Sequence, residues 1–223
     1  DRSSAASDVY KRQAWNAARG TPLGHTFMFV MAAMGRPFLN LDRIGDEFDA
    51  EWPEGERLRP LLQSEEAFAT AEYLRELLDY SPNSILSMSW YERAKVYADG
   101  EAAMAYCATL LAPLFELNSD SPAHGVTEFL PHPCGPSGKP IAPGGGYSLA
   151  IPSNVAPMRR TSVCEAVQSF TSPEIIKLYI ENGSLVTPRF SVSMDPEVRR
   201  LSPLLSIVEG MARTKVLQYW PRP

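Results

Sequence analysis

The sequence predicts an α/β fold, and three observations carry that prediction. Short apolar stretches of strand type alternate with amphipathic helical stretches along the chain. Apolar residues fill 44% of 223 positions, enough for a packed core. No segment repeats at a solenoid period, so the alternation belongs to one irregular α/β layout.

The first residues stand apart. Ser3-Ser-Ala-Ala-Ser-Asp-Val-Tyr-Lys-Arg-Gln13 resembles the in-frame translation of a sequencing adapter. Residues 1–13 are therefore read as a non-native tail, expected to be disordered and without function. The expectation that follows is a reading frame cut at its 5′ end, with any signal peptide lost.

Trp15 to His25 is polar and turn-rich, with Arg19, Thr21 and His25 suited to ligand contact. It leads into an apolar helix over Thr26 to Met34, closed by Gly35. Arg36 to Gly55 reads as a loop of mixed charge whose acids form a solvated face. Ser64-Glu-Glu caps an amphipathic helix with Ala67, Ala71, Leu74 and Leu78 on one stripe, ending before Ser81-Pro82. Ser89-Trp-Tyr-Glu92 is a capping box, and its helix ends at Asp99-Gly100. Trp90 follows the cap and reads as a packing residue.

Ala102 to Tyr106 is expected to be a short buried strand, Cys107-Ala-Thr109 the turn after it, and Leu110 to Leu117 a helix limited by Pro113. Val126 to Leu130 alternates like a strand. Beyond a Pro/Gly-rich connector, Gly144-Gly145-Gly146 meets Tyr147 and a short apolar strand over Leu149 to Ile151. Glycine lets backbone approach a ligand closely, and an aromatic after it offers a flat face. Val163, Ala166, Val167 and Phe170 then mark a helix, and Ser172-Pro-Glu174 starts another that ends at Asn182-Gly183. Val186 to Val192 reads as extended; Asp195-Pro-Glu197 and Leu204 to Ala212 read as helices.

Composition excludes several functions. The net charge is −5 with no basic block, which argues against nucleic acid or an anionic membrane as partner. No apolar run approaches the ~20 residues of a membrane span. Cys107, Cys134 and Cys164 form no C-x-x-C pair, and His132-Pro-Cys134 lacks a second pair of ligands, so no metal or other cofactor is expected. Cys107 reads as a small buried filler.

Five patterns in order carry a resemblance: Ser64-Glu-Glu-Ala67; Trp90 with Asp99-Gly-Glu-Ala-Ala-Met-Ala-Tyr106; Gly145-Gly-Tyr-Ser-Leu-Ala-Ile-Pro152; Phe170-Thr-Ser-Pro-Glu174; and Thr187-Pro-Arg-Phe-Ser-Val192 with Asp195-Pro-Glu-Val198. Together they are similar to the sugar-type extracellular solute-binding proteins of ABC importers, the maltose-binding-protein-like group. The resemblance implies a two-lobed periplasmic-binding-protein-like fold of type II, here partial, with most of the N-terminal lobe and the C-terminal end missing. Residues 14–127 would belong to the C-terminal lobe and 128–185 to the N-terminal lobe, after a hinge crossing near Val126 to Leu130. Residues 186–223 would return to the C-terminal lobe.

By the same resemblance, the protein is a non-catalytic carrier that captures a sugar or related polyol in an interlobe cleft. It would act as a periplasmic protein or cell-surface lipoprotein, as a monomer, and deliver the ligand to the transmembrane subunits of an ABC permease. Implied ligand contacts are Gly145, Gly146 and Tyr147, where the family often has Gly-Trp; Cys107 and Thr109 in the turn after the strand; His25; and Arg189. Arg19 and Thr21 join them by proximity. The Cys107–Thr109 turn departs from the family's usual Trp or Asn and removes a stacking plate. Two alternatives share the sequence: a lobe that senses ligand for a membrane kinase, and a carbohydrate-active enzyme. The second needs carboxyls on two facing elements. Asp46, Glu47, Asp49 and Glu51 instead cluster in one loop.

Overall fold

Backbone polar groups that leave water must find partners, and in this chain helices and turns supply them far more than strands do. The computed structural model describes residues 12–45, 47–136, 138–146 and 148–218. Tyr147, Asp46 and the closing Tyr219 to Pro223 lie outside the described residues. The chain divides into two compact units, residues 1–144 with 211–223, and residues 145–210.

In the first unit, β1 (Gln13–Ala14) pairs in parallel with β4 (Met104–Ala105), Gln13 against Met104 and Ala14 against Ala105. This corrects the reading of the tail at its last residue. A ladder uses main-chain groups and is indifferent to where Gln13 came from, and Gln13 is buried there. Helix α1 (Thr21–Ala33) begins five residues earlier than expected. The stretch reads as turn-rich, yet Pro22 suits a first turn because its missing N–H would be unpaired anyway. His25 is thus a helical residue. The Thr26 hydroxyl donates to the Asn16 carbonyl (3.0 Å) and ties the helix to the segment after β1.

The expected loop contains a hairpin, β2 (Arg43–Ile44) antiparallel to β3 (Glu47–Phe48). Its acids serve structure: Asp49 pairs with Arg57 (2.8 Å) and Glu47 with Lys215 (2.7 Å). Helix α2 (Glu65–Leu77) starts where Ser64 Oγ accepts the Ala67 N–H (3.2 Å). Its buried stripe is Ala67, Thr70, Leu74 and Leu77; Ala71 lies outside it, exposed. Helix α3 (Trp90–Ala98) carries the predicted capping box, with the Ser89 N–H donating to Glu92 (3.1 Å). The core of this unit gathers Trp15, Val30, Leu74, Leu77, Ile85 and Met88.

The strand expected over Ala102 to Tyr106 shrinks to β4, and Met104 is exposed, because β1 is its single partner among the described residues. Pro113 splits the next helix into a 3-10 turn (Thr109–Leu111) and one turn of α4 (Pro113–Glu116). Val126 to Leu130 forms no ladder, with Val126 74% and Leu130 77% exposed. Alternation needs a neighbouring strand to become a sheet, and none adjoins it among the described residues. A last parallel pair joins β5 (Ala142–Pro143) to β6 (Leu217–Gln218).

In the second unit, Leu149 to Ile151 likewise pairs with nothing among the described residues. Helix α5 (Pro157–Phe170) buries no residue; Val163 and Val167 are half-buried and Phe170 is exposed. Helix α6 (Pro173–Glu181) is capped as predicted, Ser172 Oγ accepting the Ile175 N–H (3.3 Å). The stretch expected to be extended turns helical in α7 (Phe190–Ser193). Its local i to i+4 bonds satisfy backbone that has no strand beside it among the described residues. Asp195 caps α8 (Pro196–Leu201), and α9 (Pro203–Arg213) follows. Ile180, Val192, Val198 and Leu205 form this unit's core.

Candidate functional site

Helices α1 and α3 bring together the first components of a site in the first unit. The His25 ring meets Phe29 edge-on at 4.3 Å and Trp90 at 4.8 Å. Arg93 lies three residues after Trp90, on the same helical face. Its guanidinium sits 5.4 Å from the Trp90 ring centre. Arg93 is only 6% exposed, and its buried Nε has no hydrogen-bond partner. On the far side, Cys107 follows β4 and His132 bridges to Ile141; both are close enough to feel the Arg93 charge. The Tyr106 ring lies against His132, centres 4.0 Å apart and planes tilted by 34°, and its hydroxyl lies 2.8 Å from that of Tyr73.

Burial sets the charges here. It pushes the Cys107 thiol up, with Arg93 pulling weakly the other way. It pushes the His132 imidazole down to about 4, and the Arg93 charge adds to that. Burial and the Tyr73 hydroxyl raise Tyr106 far above the usual phenol range. Burial also lowers the Arg93 guanidinium, but from so high a value that it stays a cation. The result is one desolvated positive charge among neutral rings and a neutral thiol. A thiolate–imidazolium pair needs the opposite shifts at Cys107 and His132, so this arrangement does not build a cysteine nucleophile. It suits binding: aromatic faces for C–H surfaces, hydroxyls and a guanidinium for polar edges.

The remaining predicted contacts are placed differently. Arg19 is exposed in the turn before α1, and Thr21 is exposed at its first position. Thr109 is exposed at the start of its 3-10 turn. In the second unit Gly145 and Gly146 are exposed, and a Cβ on Gly146 would meet nothing. Arg189 donates from Nε to the Thr171 carbonyl (2.6 Å) and its N–H donates to Thr187 Oγ1 (3.0 Å), which pins the loop before α7 to the end of α5. His25 and Cys107 are therefore the predicted residues that join one cluster, linked through Trp90 and Arg93.

Arg93 was the residue sequence reasoning missed. Its signal was present: it shares a helical phase with Trp90 and Tyr97 and precedes the fully buried Ala94, so a charge falls on the face that packs inward. His132 and Tyr106 carried no local signal, since only tertiary contact brings together residues so far apart in sequence. Among the described residues no group of three His, Cys, Asp or Glu could hold a metal ion. No described helix is long and apolar enough to cross a membrane.

Comparison with known proteins gives fold without close sequence kinship. No family profile matches the chain, and no curated protein matches it in sequence. The maltose-bound MalE3 of T. maritima matches all of this chain with a TM-score of 0.79 at 20% identity, over 53% of its own length. An ABC transporter solute-binding protein from Agrobacterium radiobacter K84, in complex with ribitol, matches 94% of the chain with a TM-score of 0.77 at 20% identity, over 49% of its own length. The chain spans about half the length of these solved proteins. Its fold is thus periplasmic-binding-protein-like and partial, as the five patterns implied.

Proposed function

We propose that this chain is part of the substrate-binding component of an ABC importer. It captures a sugar or related polyol in the cleft of the complete two-lobed protein and delivers it to a membrane permease, without chemistry of its own. The observation that carries the reading is the fold likeness, over 100% and 94% of the chain, to two solute-binding proteins, one holding maltose and one ribitol. The Trp90 ring beside Arg93, the His25 ring against Trp90, and the Tyr106 ring against His132 support it, because a sugar presents C–H faces and hydroxyl edges to such groups.

Hinge closure around the ligand and an extracytoplasmic location belong to the same proposal. Gly145, Gly146, Tyr147, Thr109, Arg189 and Arg19 are proposed as further contacts. The test is calorimetric titration of the full-length protein containing this chain against a panel of sugars and polyols. Saturable binding to at least one is the expected result; none to any would overturn the reading.

A further inference from the structure

Resting on that carbohydrate reading, we propose that the ligand of the Trp90–Arg93 cluster carries a carboxylate, so that the protein prefers an acidic sugar to its neutral parent and Arg93 selects it.

The argument is one of charge balance. Arg93 is 6% exposed, its Nε is orphaned, and it has no ion pair among the described residues. A desolvated cation is strongly unfavourable unless an anion or several acceptors compensate it. The Trp90 face compensates part of it. Among the described residues no anion supplies the rest: Cys107 and His132, which feel its charge, are both held in their neutral forms. The acids on the same helix are engaged elsewhere, Glu92 with the Ser89 N–H and Asp99 with Lys95.

One carboxylate would cancel one guanidinium and match its planar fork with two oxygens. A dianionic phosphate would leave a net negative charge in the same desolvated place. Hydroxyls alone would leave the cation in excess. The half-buried Trp90 ring beside the guanidinium offers the plate on which the sugar ring of such a ligand would lie.

The test is calorimetry on the full-length protein with D-galacturonate, D-glucuronate and D-gluconate, each against its neutral parent: D-galactose, D-glucose and D-sorbitol. At least one acid should bind about tenfold or more tightly than its parent. Arg93→Met should erase that difference, and Arg93→Lys should keep part of it. Neutral parents binding as tightly as their acids would overturn the proposal, as would an acid affinity unchanged in Arg93→Met. The wild-type comparison decides even where Arg93→Met fails to fold. No binding by acid, neutral sugar or polyol alike would instead overturn the carbohydrate reading itself.

Discussion

Burial acts in opposite directions on the two ionisable neighbours of Arg93. The Cys107 thiol is pushed up, so it should resist alkylation, whereas Cys134 and Cys164 are exposed. Native-state labelling read by mass spectrometry should modify Cys134 and Cys164 first and Cys107 last; early loss of Cys107 would show that the thiol is not desolvated. His132 titrates at about 4 in the fold against an ordinary 6.5. Between those values the unfolded chain holds a proton that the folded chain does not. Stability is therefore full above pH 6.5 and falls as the pH drops toward 4, by on the order of 3 kcal/mol. Urea midpoints taken across that window would show the slope, and His132→Asn should flatten it. A slope unchanged by the substitution would place the sensitivity elsewhere.

At the scale of elements, the helix signals were the most legible part of the sequence. Ser64, Ser89, Ser172 and Asp195 all cap as expected, because a cap is a contact between residues two or three apart and needs no tertiary partner. Stops are equally local. Gly100 ends α3 with φ +76, and a Cβ there would lie 3.1 Å from Pro122 Cγ. Gly100→Ala should cost about 1–2 kcal/mol for the left-handed backbone alone, read from the urea midpoint. Gly24, inside α1 with nothing within 4 Å, should behave oppositely. Gly24→Ala should stabilise by about 0.5–1 kcal/mol. Strands were less legible. Val126 to Leu130 and Leu149 to Ile151 have strand-like sequence and no ladder among the described residues, while the β2–β3 hairpin was hidden in a charged stretch.

At the scale of the molecule, the chain carries two compact units, each with its own core. Its backbone follows about half of proteins that bind maltose and ribitol. A ligand bound by the full-length protein should stabilise it by mass action, about 2.7 kcal/mol at a hundredfold excess over Kd. Calorimetric scans with and without ligand would show the rise in Tm. A ligand that saturates in titration without raising Tm would be binding folded and unfolded chains alike, against the proposed site.

The sequence by itself determined the α/β class, the starts of the helices that carry a capping residue, the lack of a metal-binding motif, and the ordered patterns that point to a binding-protein fold. These depend on composition and on neighbours along the chain. Only the tertiary structure decided which strand-like stretches found partners, since a ladder requires main-chain groups from distant segments. It also decided the site. His25, Trp90, Arg93, Cys107 and His132 span more than a hundred positions, and the unpaired charge of Arg93 becomes meaningful only when folding removes water from around it.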